Sequence, residues 1–197
     1  MASREKVLPI KDKETLEKVK NVLLNDFKAG RRNLTLFQVG KGTLLRVSDV
    51  VRLKICDVYD DFGNVKDDVY INDKKTGKRN VLYLKPVKSD LLAYYPWLKQ
   101  QGLENLKWLF PSIKHPDQHI AENQFYRIMQ KVGELLDLDY MGTHTMRKTG
   151  AYLVYKQTGD IALVMDLLNH SSQKTTLRYL GLDVETKRQK LDTVNFG

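Results

Sequence analysis

The stretch 168-LNHSSQKTTLRYLG-181 places one histidine, His170, nine residues ahead of one tyrosine, Tyr179. Hydroxyl side chains at positions 171, 172, 175 and 176 lie between them, together with basic residues. A core helix does not need so many hydroxyl groups, because serine and threonine are mostly exposed in folded proteins. The pattern therefore indicates a short polar turn that holds a histidine and a tyrosine on its two sides.

The composition favours a polyanionic partner. The chain has 197 residues, which fits one domain with a short appendage, and a net charge of +9. Such a charge suits nucleic acid or an anionic membrane surface, and the sequence contains no basic amphipathic helix with exposed Trp or Phe. Nucleic acid is therefore favoured, and no membrane partner is expected.

The location of the protein is predicted from its first residues and its cysteine content. Residues 1–14 lack the apolar segment of a signal peptide. The single cysteine, Cys56, excludes an internal disulfide and fits a reducing compartment. We therefore expect a cytoplasmic protein that associates with the nucleoid when it binds DNA, with Cys56 buried in a strand.

The spacing of apolar residues predicts a mainly helical fold. Leu16, Val19, Leu23 and Phe27 form one stripe on a helix over residues 12–29. The second predicted helix is broken by Gly40 and Gly42, and Ser48 is expected to cap the third at its N-terminus. The further predicted helices cover residues 33–40, 48–53, 89–101, 121–137, 144–158, 160–168 and 172–180.

Three short segments carry the β-branched and aromatic residues typical of strands, and they cover residues 55–59, 69–72 and 79–84. The stretch 73-DKKTGK-78 is interpreted as a hairpin tip, since Gly77 can adopt a positive φ. The predicted fold class is α+β, mainly α with a small three-stranded antiparallel sheet.

Two segments could bind a phosphate. In 143-THTMRKTG-150, His144 and Arg147 share one face near a helix start, which is a competent anion site but a weak motif by itself. Arg46 lies among apolar neighbours, where burial is costly unless the guanidinium has an anionic partner. Asp49 could be that partner in a purely structural ion pair, so both interpretations of Arg46 stay open.

Tyr179 needs help to act as a nucleophile, because a tyrosine hydroxyl has a pKa near 10. It becomes useful when cations stabilise the attacked phosphate and a base stands nearby. Lys75, at the hairpin tip, is either a solvated turn residue or a proton donor that reaches into a groove. Two arginines, one lysine, two histidines and one tyrosine are the groups that attack on a phosphodiester without a metal would need.

The order of these residues resembles the catalytic domain of the tyrosine recombinase (phage integrase) family. The matching pieces are LLRVSD, the KKTGK hairpin, THTMRKT and LNHSSQKTTLRYLG, and the resemblance covers essentially the whole chain. The family usually has a glycine two residues before the first arginine, whereas this chain has Leu44. The resemblance assigns catalytic roles to Arg46, Lys75, His144, Arg147, His170 and Tyr179, with Asp49 orienting Arg46 or its helix.

The resemblance implies site-specific cutting and rejoining of DNA through a 3′-phosphotyrosine. It implies neither ATP nor a metal ion nor any other cofactor. The implied partners are double-stranded DNA with specific recombination sites and further copies of the chain, as a tetramer on DNA. An accessory DNA-bending or excision factor is also compatible with it.

The expected organisation is a catalytic domain over residues 1–181 and a tail over residues 182–197 that docks on a neighbouring protomer. Only about forty-five residues precede Arg46, so we expect the family's N-terminal core-binding domain to be absent. Two alternatives are a non-catalytic DNA-binding regulator on the same scaffold and a type IB topoisomerase-like enzyme.

Overall fold

A computed structural model describes residues 7–72 and 79–182 of the chain. The described elements are mostly helices, with two strands and one 3-10 turn inserted after the fourth helix. In chain order they are α1 (Lys13–Asn25), α2 (Gly30–Thr43), α3 (Val47–Val50), α4 (Ile55–Val58), β1 (Asp68–Asn72), β2 (Arg79–Tyr83), the 3-10 turn (Lys85–Val87), α5 (Lys88–Gln100), α6 (Glu122–Leu136), α7 (Thr145–Thr158), α8 (Ile161–Leu168) and α9 (Gln173–Tyr179).

Helix α2 is the centre of the fold, because most of its residues are buried and it contacts α1, α5 and α7. The predicted break at Gly40 and Gly42 is wrong, since α2 continues to Thr43. A Cβ atom on Gly40 would lie 2.3 Å from Met146 Sδ, and one on Gly42 would lie 2.3 Å from Val87 Cγ1. These glycines let neighbouring elements approach the helix instead of ending it.

The sheet within the described residues has two strands, not the predicted three. β1 and β2 are antiparallel, with Tyr70 opposite Val81. The segment predicted as a further strand forms α4, where the Asp57 carboxylate accepts a hydrogen bond of 2.9 Å from the Lys54 N–H at the helix start. Cys56 is exposed on α4, so the prediction that it is buried in a strand is also wrong. This local cap outweighed the β-branched composition.

The helices predicted after residue 88 are confirmed to within one or two residues. Helix α3 differs at its start, because Arg46 and not Ser48 occupies the N-cap position. The segment predicted as a hairpin tip, which contains Lys75, and the tail from residue 183 onward lie outside the described residues. None of the helices within 7–72 and 79–182 is long and apolar enough to cross a membrane.

Within residues 7–72 and 79–182, the buried apolar side chains form two clusters. The main core gathers side chains from Ile10 to Met146. The second, which we name the C-terminal cluster, consists of Leu44, Ala151, Val164, Leu168 and Leu180. Tyr179, one of the predicted site residues, packs against the C-terminal cluster.

Candidate active site

Arg147 is held by two hydrogen bonds to backbone carbonyls. It lies in the first turn of α7 and is only 5% exposed. Its Nε donates a hydrogen bond to the carbonyl oxygen of Leu44, and its Nη2 donates one of 3.2 Å to that of Leu168. Burial lowers the pKa of Arg147, while the nearby Tyr179 and Asp49 act in the opposite direction. The guanidinium is thus oriented by the C-terminal ends of α2 and α8.

Leu44 makes the turn that the family usually makes with glycine. Its φ of 56° and ψ of 21° are left-handed, which costs a non-glycine residue about 1–2 kcal/mol. The Leu44 side chain is only 4% exposed and packs in the C-terminal cluster, which offsets that cost. The turn directs the Leu44 carbonyl to Arg147, so the departure from the family pattern leaves this contact in place.

Arg46 and Asp49 lie beside Arg147. All three line one cavity of about 220 Å³, which Asn169 also borders. Arg46 is half-buried, and Asp49 is buried. The negative charge of Asp49 acts to raise the pKa of Arg147, so the carboxylate interacts with that guanidinium across the cavity. Two guanidinium groups at one cavity form a site suited to a phosphate.

Tyr179 lies on α9, a short helix capped by Ser172, whose hydroxyl accepts a hydrogen bond from Thr175 N–H. The Tyr179 hydroxyl is buried and interacts with the Arg147 guanidinium, although the two do not form a hydrogen bond of full geometry. Burial raises its pKa, and the nearby charges of Arg147 and Arg46 partly oppose that rise. The phenol therefore keeps its proton at neutral pH and would need a base in order to attack.

His170 approaches the tyrosine edge-on. The two ring centroids are 5.2 Å apart at an interplanar angle of 87°. The Nδ1 atom of His170 lies 3.1 Å from the Thr176 hydroxyl. Burial lowers the pKa of His170, and the positive charges of Arg147 and Arg46 lower it further. The imidazole is therefore mainly neutral at pH 7.

His144 occupies the N-cap of α7 and has an exposed side chain. Its pKa is lowered by the protein atoms that displace water around the ring, and then by the charges of Arg147, Lys148 and Arg46. A neutral imidazole next to three cations can accept a proton but holds it weakly. That property suits a group that passes protons on.

Lys148 also contacts the site, although no pattern in the sequence distinguishes it from the other lysines. Its Nζ lies 4.9 Å from the centroid of the Tyr179 ring and donates a hydrogen bond of 2.7 Å to the Val7 carbonyl. Lys11 donates a similar bond of 2.7 Å to the carbonyl of Gly181, just beyond α9. The N-terminal segment therefore fastens the helix that carries the tyrosine. The two contacts join residues that are 141 and 170 positions apart in the chain, so only the folded structure reveals them.

The structure brings five of the six predicted catalytic residues together, and the sixth, Lys75, lies outside the described residues. The five are Arg46, His144, Arg147, His170 and Tyr179. In the part of the chain that the structure describes, no group of three or more His, Cys, Asp or Glu side chains could hold a metal ion.

Comparison with known proteins places the chain in a family. The profile described as "Phage integrase family" matches residues 12–186. The chain belongs to the phage integrase family. This confirms the resemblance to tyrosine recombinases, the class of enzyme to which several curated relatives belong by name. The probable integrase/recombinase YoeC of Bacillus subtilis is 36% identical over 183 residues, which cover 92% of this chain and 93% of that protein.

Solved structures share the fold at lower identity. The XerH recombinase bound to difH in a post-cleavage complex has a TM-score of 0.67 at 22% identity, over 97% of this chain and 54% of that one. A lambda integrase tetramer bound to a Holliday junction has a TM-score of 0.64 at 16% identity, over 90% of this chain and 49% of that one. The present chain thus spans about half the length of these two recombinases. Both likenesses show the fold of a tyrosine recombinase catalytic domain.

Proposed function

We propose that this phage integrase family member is a site-specific recombinase that cuts and rejoins DNA through a 3′-phosphotyrosine. The observation that carries the proposal is the buried Tyr179 hydroxyl, which has no well-formed hydrogen bond to a described residue and lies close to two arginines. The two guanidinium groups beside this hydroxyl would hold a phosphate within its reach, which is the arrangement that a tyrosine nucleophile requires.

In the proposed cleavage step, the Tyr179 oxygen forms a bond to the scissile phosphorus as the bond from phosphorus to the 5′ oxygen breaks. His144 takes the phenolic proton, for which its lowered pKa keeps it unprotonated at neutral pH. Lys75 gives a proton to the leaving 5′ oxygen. Because one phosphate ester replaces another, the backbone can be resealed by the reverse reaction.

The charge that develops on the phosphate would be held by the two guanidinium groups. Arg147 is positioned by the carbonyls of Leu44 and Leu168 before any substrate arrives, and Arg46 faces the same cavity. Preorganised donors of this kind are worth about 10²–10³ in rate each. Asp49 would orient Arg46 or its helix, and His170 would donate a further hydrogen bond to the phosphate.

The proposed partners are double-stranded DNA with specific sites and three further copies of the chain. The lambda integrase relative was solved as a tetramer on a Holliday junction, which supports this assembly. Residues 1–181 would form the catalytic domain. The tail over residues 182–197 would dock on a neighbouring protomer through its apolar side chains. Leu182 packs against the C-terminal cluster of its own domain, which leaves Val184, Leu191, Val194 and Phe196 for this contact.

Truncation after Gly181 tests the role of the tail. We expect DNA binding to persist and complexes with more than one protomer to weaken, because the apolar side chains that would join protomers are lost. Sedimentation of the DNA complexes measures both effects. Unchanged higher-order complexes would show that the tail packs on its own domain.

The proposed reaction can be tested without knowing the target site. The protein is incubated with a library of nicked duplexes of random sequence, and covalent adducts are isolated in denaturing detergent and sequenced. We expect wild-type protein to capture a narrow set of sequences and Tyr179→Phe to capture none. Complete absence of adducts would favour a non-catalytic regulator. Equal capture of all sequences would favour a topoisomerase-like enzyme.

A further inference from the structure

The segment that precedes α1 contacts both α7 and α9. Its residue Ile10 is only 1% exposed, and the Ile10 N–H donates a hydrogen bond of 2.9 Å to the buried Thr149 hydroxyl on α7. The next residue, Lys11, has its Nζ 5.5 Å from the ring centroid of Tyr152, which also lies on α7. The backbone from which the Lys11 side chain extends is therefore fixed to the helix that carries Arg147.

The Lys11 side chain reaches from there to the end of α9. Gly181 has a φ of 63°, and its N–H donates a hydrogen bond of 3.0 Å to the Arg178 carbonyl. The Leu182 N–H donates one of 2.9 Å to the Leu177 carbonyl, which completes the cap of the helix. The Gly181 carbonyl accepts a hydrogen bond of 2.7 Å from Lys11 Nζ. Lys11 thus joins the end of α9 to α7.

This contact lies close to the tyrosine. Tyr179 is two residues before Gly181, so a shift of the helix end would also move the phenol, whose hydroxyl interacts with the Arg147 guanidinium. Helix α9 has seven residues, and a helix this short opens at little cost in free energy unless other contacts hold it. A reacting group displaced by about 1 Å can lose as much as about a hundredfold in rate.

We propose that Lys11 is a positioning residue, which holds the end of α9 and thereby keeps the Tyr179 hydroxyl beside Arg147. It acts through the Gly181 carbonyl and takes no part in the chemical step. The effect on DNA cleavage rests on the proposed function, whereas the fastening of α9 does not.

Three substitutions separate this role from the charge of the lysine. Lys11→Met keeps the length of the side chain and removes the ammonium group. Lys11→Arg keeps a cation that can donate to a carbonyl. Lys13→Met is the matched control, because Lys13 is exposed two residues further along the chain and its loss changes the net charge equally.

The first test measures hydrogen–deuterium exchange in the DNA-free protein. In Lys11→Met we expect the amides of residues 180–182 to exchange about twofold to tenfold faster, since the loss of one hydrogen bond lets the helix end open. The amides of α7 should be unchanged, and Lys11→Arg and Lys13→Met should resemble the wild type. Unchanged exchange at the end of α9, or an equal rise in α7, would overturn the proposal.

The second test compares cleavage with binding on the nicked duplex recovered by covalent capture. At saturating protein we expect Lys11→Met to form the adduct about twofold to tenfold more slowly and Lys11→Arg to approach the wild-type rate. The Kd for DNA should change no more than in Lys13→Met, because both variants lose one positive charge. A wild-type cleavage rate in Lys11→Met, or a loss confined to Kd, would contradict the positioning role.

Failure of the proposed function would give a different result. If the wild-type protein formed no adduct with any duplex, the assignment of Tyr179 as a nucleophile would fail. Faster exchange confined to the end of α9 in Lys11→Met would still show that Lys11 fastens this helix. Unchanged exchange would overturn that conclusion as well.

Discussion

Arg147 and Tyr179 come to the same site from two differently built regions. Arg147 begins α7, which packs along the central helix α2, and its guanidinium is held by two backbone carbonyls. Tyr179 ends α9, a helix of seven residues that contacts α8 and rests on the small C-terminal cluster. Its hydroxyl has no well-formed hydrogen bond among the described residues.

This difference in how the two side chains are held fits two different tasks, binding of a phosphate and attack on it. An anion site gains most when its donors are fixed before the substrate arrives, because no reorganisation is then needed. A nucleophile that must leave and rejoin a phosphate is better placed on a short element with few buried contacts, which costs less to move. In the proposed mechanism the first region would therefore supply electrostatic stabilisation, and the second would supply the group that changes position.

Tyr179→Phe tests the second region and should have the largest effect. We expect covalent adducts to disappear while DNA binding stays at the wild-type level, since only the hydroxyl is lost. Thermal unfolding should occur near the wild-type temperature, because the hydroxyl interacts with Arg147 without forming a hydrogen bond of full geometry. A persistent adduct would identify another nucleophile, and a clear fall in Tm would show that the hydroxyl forms a strong hydrogen bond in the folded protein.

Lys75→Ala tests whether Lys75 donates a proton to the leaving oxygen, a role distinct from the charge stabilisation proposed for Arg147. General acid catalysis is worth about 10²–10⁴ in rate, so cleavage of a normal phosphodiester should fall by that much. Replacing the 5′-bridging oxygen with sulfur gives a leaving group that needs no proton, and this substrate should restore the rate.

Arg147→Ala is the matched control and should show no rescue, because the non-bridging oxygens are unchanged. If Lys75→Ala cleaved both substrates equally slowly, the lysine would only contact DNA. His144 would then be the next candidate for the general acid.

Gly150→Ala tests the contact between α2 and α7. The added Cβ would lie 1.9 Å from the Lys41 carbonyl oxygen and 2.6 Å from a Leu44 methyl group, so the helices must separate. We expect a loss of about 1–3 kcal/mol in denaturant unfolding, together with slower cleavage as the Leu44 carbonyl leaves Arg147.

Gly159→Ala is a suitable control for Gly150→Ala, since no atom lies within 4 Å of the new methyl group. At a φ of 68° it should cost only the left-handed strain of about 1 kcal/mol and leave cleavage unchanged. Equal effects of the two substitutions on cleavage would show that close packing of α2 and α7 does not position Arg147.

The smallest expected effect concerns the two histidines, whose pKa values lie below the ordinary 6.5. A lowered pKa means that the folded protein binds the proton less readily than the unfolded chain. The contribution to folding stability is therefore present above pH 6.5 and is lost as the pH falls through the lowered pKa. Cleavage should likewise be constant above pH 6.5 and fall below it, as His144 becomes protonated.

NMR titration measures both midpoints. Arg46→Ala should move them up toward 6.5, because it removes one of the positive charges that lower the pKa of His144 and His170. A midpoint above 6.5 in the wild type would contradict the electrostatic description of the site.

The sequence predicted local structure well where one signal dominated. The helices after residue 88 follow from the spacing of their apolar residues, which repeats with the helix itself. The prediction failed over residues 55–59, where a four-residue helix with an Asp57 cap replaced a strand. The prediction failed again at Gly40, where the absence of a side chain makes room for Met146, more than one hundred residues away. In both cases composition suggested one structure and a specific contact decided another.

The sequence by itself determined the identity and order of the site residues, and with them the family. The tertiary structure decided how each residue is held: Leu44 in a left-handed turn aimed at Arg147, and Thr176 against His170. It also showed that the buried Arg32 serves the core, because its donors go to the side chain of Asn33 and the backbone of Pro111. Arginines look alike in a sequence. Their partners lie far along the chain or on its backbone, and folding alone brings them within the few ångströms over which hydrogen bonds act.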